Sequence, residues 1–475
     1  MRISLIHPVY GHKDFSENLR FIDEEFCKGP PIVLAYVAAV LQQAGHTVQI
    51  IDAHNNKLSD SAILKELEGF APDLLGVRLE TYGFYDTLRL VKYLKPRLAN
   101  IKVLCGGINL SLYPDESFAH GFFDYGLIGD ADGRLPEIID AIGKGRDIHL
   151  VSGTISYSGG EVRITPGQNY PPKNYSFDSH PFPARGLLNN GIYYSAISQR
   201  RNYTIMLASR GCPYKCKFCE INSIDYTGRS AQSIIQEIEE CYYQHGVREI
   251  DFFDAGFFIN KKEIGRVFDE LTRMKLDLEW SCRSRVDEID ATTLKKARSA
   301  GCRQIYFGIE SCDPRILFNI NKEINGSQVY STLDLCRKTG IRALGFFMIG
   351  NQGETNETAM RTIKYAKSLP LDYAQFCMAI AKPSSGYNRQ RILDTQRDYW
   401  REYIRGSIPA EPFPRTWTRL TDEEVRRLTK TAYRVFYLRP AQIFRLLGRV
   451  RSFKELVRYF RIAARLLVTC VSCPG

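Results

Sequence analysis

The chain has 475 residues, 44% hydrophobic and 25% charged, which is ordinary for a globular protein and long for one domain. Nowhere do about 18 apolar residues run uninterrupted, which excludes a helix crossing a membrane, and the opening MRISLIHPVYGHKD reads as a strand rather than a secretory leader. The net charge of +11 is localised: 14 Lys and Arg against 4 Asp and Glu lie between Arg415 and Gly475, so the tail is basic and the body close to neutral.

Residues 1–150 alternate strand and helix. RISLIHP is a short apolar run, PIVLAYVAAVLQQAGH has helical spacing and stops at Gly45, and TVQIIDA reads as a strand. The helix SDSAILKELEGF, the strand PDLLGVRLET, the helix YDTLRLVKYLKPRL and the strands IKVLCGGIN and DYGLIGD follow. Such alternation predicts a Rossmann-like, doubly wound parallel sheet. Ligands of such sheets sit beyond the carboxyl ends of the strands, here the loops His7–Lys13, Asp52–Asn56, Glu80–Tyr82, Gly106–Asn109 and Gly129–Gly133.

Residues 151–200 form a linker, with a hairpin turning at Gly159-Gly160 and a stretch rich in Pro, Asn and Ser. Residues 201–385 resume the alternation with six strands: YTIMLAS, REIDFFD, LEWSCRS, RQIYFGIES, RALGFFMIG and DYAQFCMAI. Six units are too few for a closed barrel of eight, so an open, partial (β/α)6 barrel is expected. Residues 386–475 are basic and mainly helical. Ser452 and Glu455 match a capping box, which starts a helix at Phe453. Phe453, Val457, Phe460, Ala464 and Leu467 then line one helical face, and Lys454, Arg458, Arg461 and Arg465 another.

After the first barrel strand comes RGCPYKCKFCEI, with Cys212, Cys216 and Cys219 offset by four and three. Thirteen cysteines in no repeating framework suggest a reducing, cytoplasmic setting. Three thiolates can hold three irons of a cubane cluster and leave the fourth iron for another ligand. Zinc with a distant fourth ligand, or chance, also satisfies this spacing.

The run resembles the cluster motif of radical S-adenosylmethionine (radical SAM) enzymes. IDFFDAGFF, WSCRSRVD, QIYFGIES and FMIGNQGET resemble later strand ends of the subgroup with an N-terminal cobalamin-binding domain. GPPIVLAYVAAVLQQAGHTVQIIDA, CGGIN and SHPFPAR resemble the same subgroup, and the likeness covers roughly residues 1 to 385. It implies that Cys212, Cys216 and Cys219 hold a [4Fe–4S] cluster whose open iron binds S-adenosylmethionine, which is cleaved to a hydrogen-abstracting radical. Phe218 falls where the family places an aromatic beside the cofactor, although simple packing explains it equally. Asp254 stands where relatives contact the methionine moiety, with Ala255 replacing a second acid. Arg285, Glu310 and Ser311 are placed for the carboxylate and ribose, a salt bridge between Arg285 and Glu310 being the competing explanation. Ile349, between Met348 and Gly350, would flank adenine, and Glu354 caps the next helix.

Cobalamin is implied for residues 1–150. Gly106, Gly107 and Gly129 permit close approach to its nucleotide tail or serve tight turns. DAHNNK follows the second strand and has Lys57 where the histidine-ligand motif has glycine, so His54 is expected to be an ordinary loop residue.

The resemblance implies a methyltransferase acting on an unactivated carbon of a hydrophobic, isoprenoid-lipid or natural-product intermediate. A radical cyclase is the alternative, and a zinc-dependent nucleic-acid binder the alternative of another class. A one-electron reductant such as flavodoxin or ferredoxin is an implied partner. The basic tail would pack on the barrel, touch the inner face of a membrane, or bind nucleic acid, the last not expected of this family.

Overall fold

The computed structural model describes residues 1–11, 27–131, 133–167, 176–200, 202–221, 224–409, 413–448 and 450, with eight further positions between 456 and 468. The chain forms two compact units. One takes the described residues of 1–15, 29–190 and 398–411, the other those of 16–28, 191–397 and 412–475.

The first unit is built on a seven-stranded sheet in the spatial order Thr47–Asp52, Arg2–His7, Leu74–Arg78, Lys102–Gly106, Tyr125–Leu127, Thr154–Ser158, Glu161–Ile164. The first five are parallel and the last two antiparallel. Strand Arg2–His7 lies between its two successors, so the winding reverses there and a topological switch point opens at its carboxyl end. Ile3, Leu5, Leu74 and Leu104 meet Ala38 and Leu41 of one helix and Ile138 and Ile139 of another in the core. The hairpin expected at Gly159-Gly160 is present, with φ of 61° and 89°, and it extends this sheet.

Helix Tyr399–Arg405, from beyond the last barrel strand, belongs to the first unit. Its Arg401 and Arg405 approach the buried carboxylate of Glu116 at 2.6 and 3.2 Å. Trp400 meets Tyr82 edge-on, and Tyr85 Oη donates to Tyr403 O at 3.0 Å.

The second unit holds the six expected strands, Tyr203–Met206, Glu249–Phe252, Glu279–Ser284, Cys302–Glu310, Arg342–Ile349 and Tyr373–Met378, parallel and in sequence order. Strand side chains alternate between faces. Phe252, Cys282, Ile305, Phe307, Ala343 and Phe376 enter the core shared with the surrounding helices. Asp251, Arg283, Tyr306 and Phe346 alternate to the inner face.

An open barrel leaves the edge of its last strand exposed to unwanted pairing. Helix Asp422–Tyr437 covers that edge. Tyr437 Oη accepts from Ala374 N at 3.0 Å and donates to Ala374 O at 2.8 Å, and Tyr433 Oη accepts from Phe376 N at 3.1 Å. Among the described residues no helix is long and apolar enough to cross a membrane. Ser452, Phe453, Lys454, Glu455, Arg458 and Leu467 of the expected tail helix lie outside the described residues, whereas Val457, Phe460, Arg461, Ala464 and Arg465 are helical.

Candidate active site

The cysteine loop leaves the first barrel strand through a short antiparallel pair, Ser209–Arg210 with Thr227–Gly228. Gly211, at φ 71°, turns the chain where any Cβ would overlap Asp225 O. Cys212 N donates to Ile224 O and Cys219 N to Cys216 O, both at 3.2 Å. Lys217 fastens the loop on two sides: its N–H donates to Ile320 O at 3.0 Å and its carbonyl accepts from Gly386 N at 2.7 Å. Cys216 is buried, Cys212 and Cys219 half-buried.

Burial pushes the Cys212 and Cys216 thiols up, and the charge of Cys219 acts on both in the same direction. Cys219 is therefore an electrostatic neighbour of both, and a bound cation is what would favour the thiolates. Among the described residues no three His, Cys, Asp or Glu are gathered tightly enough for one metal ion. A cuboidal cluster makes a different demand, one thiolate per iron, and the loop carries three cysteines toward it.

Beside the loop lies a cation that sequence reading passed over. Lys322, buried, sits 3.2 Å from Glu310 Oε1, and its charge opposes the upward shift of Cys212 and Cys216. The preceding residue, Asn321, donates to Lys215 O at 2.9 Å, tying this segment to the cysteine loop. Arg285 pairs with Asp287 at 2.8 and 2.9 Å and lies 4.0 Å over the ring of Tyr214 in the loop. The Arg285–Glu310 bridge is replaced by these two separate pairs, because Lys322 occupies the carboxylate. The buried carboxylate of Glu288 accepts from Ser284 Oγ at 2.8 Å and from Arg285 N at 3.2 Å.

The other expected residues fall on the same end of the barrel with differing surroundings. Asp254 accepts from Ser209 Oγ at 2.6 Å and Ala208 N at 3.2 Å, and burial raises its carboxyl to about 6. It thus braces the strand that enters the cysteine loop. Ser311 Oγ is 3.1 Å from Thr362 Oγ1. Ile349 is buried, and after it Gly350 and Asn351 donate to Glu354 Oε2 at 2.5 and 3.1 Å. Glu354 caps this turn, while Thr355 caps the helix that follows. Phe218 packs at the margin of the hydrophobic core.

Deeper on the inner face, Arg283 and Asp251 form a two-pronged pair at 2.6 and 2.9 Å. Ser281 Oγ and Tyr203 Oη donate to the same carboxylate at 2.9 and 3.1 Å. The guanidinium lies between Phe253 and Tyr306, and Tyr306 stacks on Phe346. Strand alternation would have found Arg283, which sits two before Arg285, whereas Asp251 sits three before Asp254 and is out of step with that strand-end position.

In the first unit, Gly106, Gly107 and Gly129 stand at the carboxyl ends of neighbouring strands. Gly107, at φ 118°, could carry no side chain: a Cβ would lie 2.7 Å from Leu79 O. Thr81 Oγ1 and Asn109 Oδ1, at the ends of adjacent strands, are buried without hydrogen-bond partners. Buried polar atoms of this kind normally find partners, and they fit the polar tail of a nucleotide-bearing cofactor. His54 is drawn into a cluster in which its ring lies 5.3 Å from that of His7 and 5.7 Å from that of Tyr10. His7 Nδ1 is 2.9 Å from Asp52 Oδ1.

Two family profiles match the chain: the Radical SAM superfamily over residues 206–366 and the B12 binding domain over residues 27–139. Among named relatives, the uncharacterized methyltransferase PH0819 of Pyrococcus horikoshii is 33% identical over 87% of this chain and 88% of its own. Anaerobic magnesium-protoporphyrin IX monomethyl ester cyclase of Rubrivivax gelatinosus is 28% identical over 81% and 69%. The radical S-adenosylmethionine methyltransferase TsrM of Kitasatospora setae, solved with cobalamin and a [4Fe-4S] cluster, shares the fold with a TM-score of 0.70. It is 17% identical and the match covers 98% of this chain and 99% of TsrM. The cysteine loop, the six-stranded open barrel and the glycine-ended sheet thus agree with the sequence matches, and the chain belongs to the radical SAM superfamily as an enzyme with a B12 binding domain.

Proposed function

We propose that the protein transfers a methyl group to an unactivated carbon of a hydrophobic small molecule. The supporting observation is the 33% identity, along nearly the whole of both chains, to a protein named as a methyltransferase. When bound, the cluster and S-adenosylmethionine supply the electron and the radical, and cobalamin supplies a methyl carrier. Cys212, Cys216 and Cys219 would hold the cluster. Lys322, fixed by Glu310, provides the cation for the carboxylate of S-adenosylmethionine, and Arg285, fixed by Asp287 and Tyr214, closes the side of the loop. Thr81, Gly107 and Asn109 receive the cobalamin tail.

Phe253, 51% exposed, is the open part of an aromatic wall for an apolar, isoprenoid-type substrate, with Tyr306 and Phe346 packed behind it. Arg283, neutralised by Asp251, holds that wall in register. A flavodoxin or ferredoxin is the proposed electron donor.

The test is anaerobic incubation of the reconstituted protein with S-adenosylmethionine carrying a deuterated methyl group, reductant and lipid extract. Release of 5′-deoxyadenosine together with label in the cobalamin fraction and in an extractable product is expected. The relationship to the magnesium-protoporphyrin cyclase supports a second reading, radical cyclisation. Deoxyadenosine without any transfer of label would favour it and overturn methyl transfer.

A further inference from the structure

The helix Pro440–Leu447 is anchored to the barrel by one side and exposes large apolar side chains on the other. Its inner side is anchored to the barrel: Leu446 packs against the cluster of Ile197, Tyr306, Leu344 and Tyr373, and Gln442 Nε2 and Arg445 Nη1 donate to Asp372 O and Leu371 O at 2.6 and 2.7 Å. Its outer side presents Ile443, Phe444 and Leu447, with Phe444 74% exposed. An apolar helix face normally has something covering it. Further along, Val457, Phe460, Ala464 and Val468 fall on one face at helical spacing, and all are exposed, Phe460 at 64% and Val468 at 66%.

The chemistry around these residues selects what covers them. From Arg439 to the carboxyl end the sequence has eight Lys or Arg and one acidic residue, Glu455. Exposed Arg461 is one turn from Val457. Large apolar side chains interleaved with arginines match the boundary between anionic headgroups and acyl chains. A second copy of the same surface would set arginines against arginines. A nucleic-acid duplex would use the arginines and leave the phenylalanines exposed, and a single strand that stacked on the phenylalanines would leave the aliphatic residues exposed.

We propose that the tail, through the exposed Phe444 and Phe460, docks the protein on an anionic lipid bilayer, lying in its interface without crossing it. The proposal rests on the tail alone and stands whether or not the substrate is itself a lipid.

The test is co-sedimentation of the full-length protein with large vesicles of phosphatidylcholine, alone or with about one third phosphatidylglycerol. Binding to the anionic vesicles should exceed binding to the neutral ones by about tenfold or more and weaken as salt is raised. The double variant Phe444→Ser, Phe460→Ser should lose about tenfold of that binding, with unchanged circular dichroism and iron content. Equal binding to both vesicles, or full retention by the double variant, overturns the proposal. So does a stable dimer in light scattering that the variant abolishes, or salt-sensitive RNA binding by a protein that leaves vesicles alone.

Discussion

Lys322 Nζ and Glu310 Oε1 lie 3.2 Å apart in a space that exists because residue 308 is glycine: a Cβ there would sit 2.7 Å from both atoms. Glu310 reaches this position through a left-handed backbone, φ 64°, at a break in strand register after Gly308. Such a conformation at a buried glutamate costs about 1–3 kcal/mol and persists where the surroundings enforce it.

The pair predicts a two-part outcome. Lys322→Met leaves the Glu310 carboxylate buried without its cation, which costs about 3–5 kcal/mol of stability. It should also weaken S-adenosylmethionine binding by about tenfold or more, as measured by equilibrium dialysis against the cluster-loaded protein. Lys322→Arg should recover part of the affinity. A lowered melting temperature with undiminished affinity would make Lys322 a structural partner of Glu310 only.

Gly211 carries the second prediction. Its φ of 71° and the overlap of any Cβ with Asp225 O leave no room for alanine. Gly211→Ala should therefore displace the turn that positions Cys212, and reconstitution should yield less than about half the iron and sulfide of the parent. The 410 nm absorbance per protein measures the same loss. The sheet unit should be unaffected, so cobalamin retention on gel filtration serves as the internal control. Full cluster occupancy in the alanine variant would show that the loop tolerates a different turn.

The six barrel strands were legible because each is a short apolar run bounded by turn residues, and the three cysteines because their spacing is dense and local. The hairpin at Gly159-Gly160 was legible as a hairpin. That it would add two antiparallel strands to the first sheet was not, since nothing in GEVRIT names its neighbour. Lys322 was hidden for a related reason. It stands twelve residues after Glu310, beyond a helix, and only the register break that turns Glu310 inward brings the two together. Helix Tyr399–Arg405 is the extreme case: Glu116 waits for arginines that lie more than 280 residues away in sequence. Local pattern specifies elements, whereas partnership between distant charges emerges only from the packing.

Glu354 gives a pH-dependent prediction. Its Oε2 accepts from Gly350 and Asn351, its Oε1 is buried without a partner, and burial raises the carboxyl from its ordinary 4.5 to about 7 against the pull of the two N–H donors. The folded protein therefore holds a proton that the unfolded chain has released between these values. Stability from this group is full below pH 4.5 and is lost as pH rises through about 7, by roughly 3 kcal/mol in all. Trp417 donates to Gly350 O at 2.9 Å and can report the turn by fluorescence. In urea titrations followed by tryptophan fluorescence, to which Trp417 contributes, the parent should lose stability from about pH 5 to about pH 8, and Glu354→Gln should lose less over the same range. The glutamine variant should match the parent near the acid end and exceed it near the alkaline end. Parallel pH profiles for the two proteins would mean that Glu354 is ionised throughout and that the two backbone donors outweigh its burial.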